Sequence, residues 1–250
     1  MTQEVEHVQG IAQSLTVGDG ISSGNAAWSF GGDTAKHFEQ HVSRSVPYYK
    51  EGHELVLSLS DFFIKHNSVA YELGCSTGAL TRRLARKHPP TVRWIGLDVE
   101  DNMIAQAKHY VKEEKDLAVD YIVSDILAHE YEKSDFMISY YTIQFIPPHI
   151  RQEIFNLIYE TLHWGGGFVL FEKVRAPDAR FQDISNSLYI DYKLENGYSP
   201  DEIISKSKSL KGVLEPFSTA GNLELMKRAG FKDITTIFKH VCFEGFLCIK

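Results

Sequence analysis

Tyr71-Glu72-Leu73-Gly74-Cys75-Ser76-Thr77-Gly78 is the stretch that decides the architecture. A short β-rich run enters a turn with two glycines, and a helical pattern follows from about Ala79 to Lys87. Glycines at such a junction let the chain turn sharply and let a ligand approach the backbone closely. In open α/β sheets ligands lie beyond the carboxyl ends of the strands, so this loop faces the expected pocket. A dinucleotide-binding fingerprint reads GxGxxG and would place a glycine where Glu72 stands. Here that position is an acid and the spacing is GxxxG. A carboxylate repels a pyrophosphate and attracts a ligand ammonium, which argues against a nicotinamide dinucleotide. A glycine-rich turn with no ligand is the plain alternative.

The next two strands extend the pattern. Gly96-Leu97-Asp98 ends the second, about 20 residues beyond the glycine loop, where an acid is placed to accept from both hydroxyls of a ribose. Ser124-Asp125-Ile126 ends the third. Asp125 there accepts from an adenine amino group while Ile126 and Met103 pack on the ring, or it serves only as a helix N-cap. Three acidic strand ends in succession fit S-adenosylmethionine, which carries an ammonium and no phosphate.

Outward from this centre, short apolar runs alternate with helical periodicity. VAYEL (69–73), VRWIGLD (92–98), VDYIVSD (119–125), FMISYY (136–141) and GFVLFEK (167–173) read as strands. Helices are expected over 79–87, from Asn102 to Val111 and from Pro148 to Leu162. The alternation predicts an α/β fold, a doubly wound, Rossmann-like parallel sheet. Upstream, Asp33 to Leu59 is helical with a break at Pro47. Residues 1–27 read as a flexible arm and 28–250 as one domain, with a helical lid inserted at about 176–213. After a helix near Leu223–Ala229, KDITTIFKH and VCFEGFLCIK read as an antiparallel hairpin at the sheet edge, completing seven strands.

Composition narrows the function classes. The chain has 250 residues, 43% hydrophobic and 24% charged, which is globular composition. Its 26 basic and 33 acidic residues give a net charge of −7, against a direct nucleic-acid partner. No run reaches the ~18 apolar residues of a membrane span, and the acidic N-terminus is not a secretory signal. Cys75, Cys242 and Cys248 include no CxxC pair, so a reducing, cytoplasmic setting is expected. The histidines show no ligand spacing and no metal is expected.

With these residues in place, the stretch from about Val69 to Lys173 resembles a class I S-adenosylmethionine-dependent methyltransferase. Glu72 to Gly78, Asp98 and Asp125 match its first three cofactor motifs. Outside the core the chain is similar to the carboxy-S-adenosylmethionine synthases. That similarity rests on Trp28-Ser29-Phe30, Arg44-Ser45-Val46-Pro47-Tyr48-Tyr49, Gly74-Cys75-Ser76, Thr142-Ile143-Gln144-Phe145, Glu172-Lys173 and Asn196-Gly197-Tyr198-Ser199. Those enzymes use S-adenosylmethionine and prephenate to make a carboxylated cofactor for wobble-uridine modification of transfer RNA. The resemblance implies a cofactor set of Tyr49, Gly74, Cys75, Ser76, Asp98, Val99, Asp125 and Ile126, with Tyr140 by position, and it implies a homodimer. Glu72, Gly78 and Met103 join this set from the loop and strand argument.

The chain departs from that family where a lid arginine and a strand-end asparagine help bind the carboxylated cofactor. The equivalent positions are Ser207, with Lys206 and Lys208 beside it, and Tyr140. A hydroxyl supplies no charge, and lysines in a polar lid commonly face water. The expectation is therefore methyl transfer to a small-molecule acceptor, with carboxylated-cofactor synthesis and a non-catalytic cofactor-binding protein as alternatives. Tyr140, Tyr141 and His149 are the possible general bases, and packing or an exposed helix start explains each as well, so the catalytic residue is left unknown. Tyr48, Tyr49, Tyr140, Tyr141, Tyr189, Tyr192 and Tyr198 are expected to border one pocket, and Tyr49 to close over the cofactor. Cys75 has no adjacent base and reads as packing.

Overall fold

The computed structural model describes residues 15–31, 34–112, 114 and 117–250. Its elements in chain order are β1 (Leu15–Thr16), β2 (Ser22–Ser23), α1 (Thr34–Ser45), α2 (Tyr49–Ser60), β3 (Val69–Leu73), α3 (Ala79–Lys87), β4 (Arg93–Asp98), α4 (Asp101–Val111) and β5 (Val119–Val123). Then come β6 (Ser134–Tyr140), α5 (Arg151–Thr161), β7 (Leu162–Lys173), α6 (Ala179–Glu195), α7 (Pro200–Ser209), α8 (Thr219–Ala229), β8 (Asp233–His240) and β9 (Phe243–Ile249).

Seven strands form one sheet in the order β5-β4-β3-β6-β7-β9-β8. The first five are parallel, and β9 inserts antiparallel between β7 and β8. The expected doubly wound sheet and edge hairpin are both present. Chain order reverses between β3 and β6, which opens a crevice at the carboxyl ends of the strands, where such sheets bind ligands.

Two-residue alternation decides what each face buries. In β7, Phe168 and Leu170 pack with Phe155, Ile158 and Met226 of α5 and α8, while Val169 and Phe171 pack with Val56, Leu80 and Leu84 of α2 and α3. A strand buried on both faces reads as a continuous apolar run, as GFVLFEK does.

The flanks close over the crevice. Residues 1–14 of the expected arm lie outside the described residues. Beyond them, β1 and β2 pair antiparallel, and Val17, Ile21 and Trp28 form a small buried cluster packed by Phe145, Leu210 and Val213. The lid is two helices, α6 and α7. The N-terminus of α7 is fixed by a capping box between Ser199 and Glu202, with Pro200 at its first position.

Candidate functional site

One large cavity of about 1170 Å³ lies over the carboxyl ends of β3, β4, β5 and β6, roofed by α1, the N-terminal hairpin segment and the lid. Eleven of the twelve expected cofactor residues line it: Tyr49, Glu72, Gly74, Cys75, Ser76, Asp98, Val99, Met103, Asp125, Ile126 and Tyr140. Gly78 does not. Its φ of 74° starts α3, and a Cβ there would come within 2.3 Å of the Tyr121 hydroxyl oxygen, so it serves the turn rather than the pocket.

The glycine loop is held by its neighbour strand. The amides of Gly74 and Cys75 both donate to the Leu97 carbonyl at 2.8 Å. Gly74 has φ 75°, and a Cβ would come within 2.2 Å of the Thr142 side chain. The Ser76 amide donates to Asp98 Oδ2 at 2.8 Å and the Glu100 amide to Asp98 Oδ1 at 3.0 Å. Each carboxylate oxygen keeps a further lone pair for a ribose hydroxyl. Burial raises the Asp98 carboxyl above its ordinary value. Asp125 Oδ1 accepts from the Leu127 amide at 2.8 Å, so this acid both caps its turn and lines the cavity.

Glu72 is more deeply placed than an exposed acid would be. It is buried, accepts from the Thr81 hydroxyl, and burial pushes its carboxyl up to about 8. Burial thus holds the carboxyl in its neutral form at pH 7, and an ammonium brought beside it would draw it to the charged form. Cys75 packs with Ile104, Ala107 and Tyr121, and burial pushes its thiol well up, as its reading as packing expects.

The tyrosines divide. Tyr49, Tyr140, Tyr141, Tyr189 and Tyr198 line the large cavity. Tyr48 and Tyr192 do not, correcting the expectation of a seven-ring wall. They line a separate cavity of about 720 Å³ with His240. Tyr48 turns away because it holds φ 56° just before α2, which points its ring at Phe238 and His240. Of the possible bases, burial holds the Tyr140 and Tyr141 phenols far above neutral, and His149 is exposed and off the cavity wall.

The opposite end of the cavity gathers lysines. Lys173 of β7, Lys193 of α6 and Lys206 of α7 all line it. Lys173 and Lys193 lie 4.4 and 4.3 Å over the Tyr189 ring, and Lys206 sits over Trp28. Lys206 therefore faces inward, against the expectation that the lid lysines face water, whereas Lys208 is exposed. The cause is helix phase. Ile203 and Ser209 are buried on α7, and Lys206, three residues from each, shares their side. Burial, followed by the neighbouring Lys193, pushes Lys206 down to about 6; burial, followed by Lys173, pushes Lys193 down to about 8. None of the three makes a salt bridge among the described residues, and Asp19, an acid whose charge acts on Lys206, is already engaged.

Asp19 ties three parts of this roof together. It accepts from Tyr198 at 2.8 Å, pairs with His41 Nδ1 at 2.8 Å and receives the Arg44 guanidinium. Burial, then Lys206, holds His41 down at about 4, so the imidazole is neutral. His41 and Lys193 carry no motif spacing, because their partners lie on distant elements.

Comparisons with known proteins agree with this geometry. Residues 70–166 match the family model described as a methyltransferase domain. A carboxy-S-adenosyl-L-methionine synthase of Staphylococcus epidermidis is 34% identical over 224 residues, spanning 89% of this chain and 97% of that protein. One from a Nitratiruptor species is 34% identical over 223 residues, spanning 89% and 93%. Among solved structures, magnesium protoporphyrin IX methyltransferase from Synechocystis with bound SAH shares the fold at a TM-score of 0.62 and 13% identity, over 88% of this chain and 95% of that one.

Proposed function

This chain belongs to the carboxy-S-adenosyl-L-methionine synthase family, and from that premise we propose a one-carbon-group transferase that uses S-adenosylmethionine with a small, carboxylate-bearing second substrate. The observation that carries the reading is the charge polarity of one cavity. Glu72, Asp98 and Asp125 stand at one end, and Lys173, Lys193 and Lys206 at the other. A nucleoside with a cationic amino acid suits the first end. A carboxylate suits the second, because desolvated lysines without acidic partners gain most from a bound anion.

On this reading the chain's own residues bind, orient and exclude water. Asp98 takes the ribose hydroxyls, Asp125 the adenine amino group, and Met103 and Ile126 the ring faces. Glu72 ionises against the ligand ammonium. Asp19, by joining the hairpin, α1 and Tyr198, keeps the roof over the reacting groups, and alignment with desolvation is most of what group transfer from a sulfonium asks of a protein.

Carboxyl transfer from prephenate to the cofactor is the better supported of the two possible reactions. The inward Lys206, drawn to its charged form by a carboxylate brought beside it, supplies the cation whose absence at Ser207 argued for methyl transfer. Methyl transfer to a small acidic acceptor is the second reading, and Tyr140, bulkier than the family's asparagine, favours it. The test incubates the purified protein with S-adenosylmethionine and prephenate and follows phenylpyruvate and the cofactor's mass. Enzyme-dependent phenylpyruvate with a carboxylated cofactor is expected. Its absence, with S-adenosylmethionine converted to S-adenosylhomocysteine as an acidic acceptor is methylated, overturns the first reading for the second.

Three free, buried cysteines support a reducing, cytoplasmic setting, and no helix among the described residues is long and apolar enough to cross a membrane. A homodimer is supported by α6, whose Phe181, Ile184 and Leu188 follow one another along one face, each about half exposed. The net charge of −7 favours small molecules over nucleic acid as direct partners.

A further inference from the structure

Tyr140 was expected by position to touch the cofactor, yet its hydroxyl is directed elsewhere. It donates to the Tyr49 carbonyl at 2.7 Å, across 91 residues of chain. Tyr49 is the first residue of α2, and it follows Tyr48, a non-glycine residue in the left-handed region. A carbonyl has two lone pairs, so Tyr49 can accept the phenol as well as a helical amide. The ring of Tyr140 then meets Tyr49 at 5.2 Å, His53 at 4.8 Å, Tyr141 at 4.9 Å and Phe171 at 4.7 Å.

Gly52 makes this arrangement possible. A Cβ at that position would lie 2.0 Å from the Tyr140 hydroxyl oxygen, 3.1 Å from its Cζ and 3.4 Å from the Phe171 ring. No side chain fits while the phenol is there. Gly52 sits within α2, where glycine is less favourable than alanine. The steric demand of Tyr140 is a reason for it. His53, the next residue, is buried and held neutral by that burial, so the packing behind Tyr49 carries no charge.

We propose that Tyr140 is a positioning residue: its phenol pins the start of α2, fixing Tyr49 as one wall of the cavity, and Gly52 is bare in order to admit it. Tyr49 and Glu72 line the same cavity, and the Tyr49 ring stacks 6.4 Å from that of Tyr141, just past β6, the strand that pairs with β3 and its Glu72, which puts it at the cofactor end. The wall it forms is therefore the one beside the ligand's amino-acid portion, a placement that rests on the function proposed above. Tyr140 acts on the ligand through Tyr49, and the hydroxyl, rather than the bulk of the ring, is what does so.

Three variants test this: Tyr140→Phe, Gly52→Ala and the double variant, each measured by thermal melting and by calorimetric titration with S-adenosylhomocysteine. Tyr140→Phe keeps the ring, so its melting temperature should stay within a few degrees of wild type while its dissociation constant rises 5- to 20-fold. Gly52→Ala alone should lower the melting temperature strongly, and much less in the Tyr140→Phe background, where the clashing oxygen is gone. Unchanged affinity in Tyr140→Phe overturns the positioning role. An equal melting penalty for Gly52→Ala in both backgrounds overturns the steric coupling, and a double variant that folds where Gly52→Ala does not supports it. If wild type binds no S-adenosylhomocysteine, the functional reading falls, and the melting cycle still decides whether Tyr140 holds α2.

Discussion

Replacing Glu72 with glutamine should flatten the pH dependence of stability. Glu72 is almost wholly buried, and its carboxyl rises from 4.5 to about 8 on folding, burial being the largest cause. Between those two values the folded chain keeps a proton that the unfolded chain has released. Stability is therefore fully present below about 4.5 and is lost as pH climbs through 8. At 1.36 kcal/mol per unit, the interval from pH 5 to pH 8 is worth about 4 kcal/mol from this one side chain. Glutamine has nearly the same shape and keeps an oxygen to accept from Thr81, but it does not titrate. Glu172, also buried and raised to about 8, contributes a similar loss in both proteins, so it cancels in the comparison. Urea unfolding at pH 5, 6.5 and 8, read by circular dichroism, measures the effect. The fall in unfolding free energy from pH 5 to pH 8 should be about 4 kcal/mol smaller in Glu72→Gln than in wild type. Parallel curves for the two proteins would refute the argument that Glu72 is folded in its protonated form.

Further outcomes can be stated for the other end of the pocket and its surroundings. Asp98→Ala should weaken S-adenosylhomocysteine binding by roughly 1–3 kcal/mol in calorimetry, since two hydroxyls lose a charged acceptor; unchanged affinity in a folded variant removes Asp98 from the site. Lys206→Met should raise the KM for prephenate at least 10-fold and leave S-adenosylhomocysteine affinity within about twofold, because Lys206 lies at the lysine end; a loss of nucleoside affinity alone would count against the polarity of the cavity. If the proposed homodimer forms through α6, Leu188→Asp on its exposed face should shift sedimentation velocity towards monomer; a monomeric wild type, or an unchanged coefficient in the variant, would refute that interface.

The legible part of the chain was the part whose geometry repeats along the sequence. VAYEL fell on β3 residue for residue, and Asp98 and Asp125 came out at consecutive strand ends because parallel strands of similar length bring their last residues to one edge. The roof was not legible in that way. His41 meets Tyr198 across 157 residues, and nothing near either one signals the other. Lys206 was misread for a different reason. Its spacing from Ile203 and Leu210, three and four residues, already put it on one side of α7, but a polar lid was taken to mean a solvated one. Tyr48 and Tyr192 lie in segments that border the pocket, but a positive φ at Tyr48 turns its ring to Phe238 and His240. Local periodicity thus carried the sheet and the nucleoside end, whereas helix rotation and long-range pairing carried the rest.

The junction at Asp19 has a bearing on how the molecule is made. Every partner that Val17, Asp19 and Trp28 need on the lid is synthesised late, between Tyr198 and Val213. The cluster of Val17, Ile21 and Trp28 rests on Phe145 from the core but closes only when Leu210 and Val213 of the lid arrive. Contacts so far apart in sequence form slowly, since the intervening chain has to be ordered first. A nascent chain halted after Lys173 would hold every residue assigned to the nucleoside, but only one of the three lysines and none of the lid that covers them. Translation itself therefore imposes an order, in which Lys193 and Lys206 join the cavity only after the strands that carry its acids.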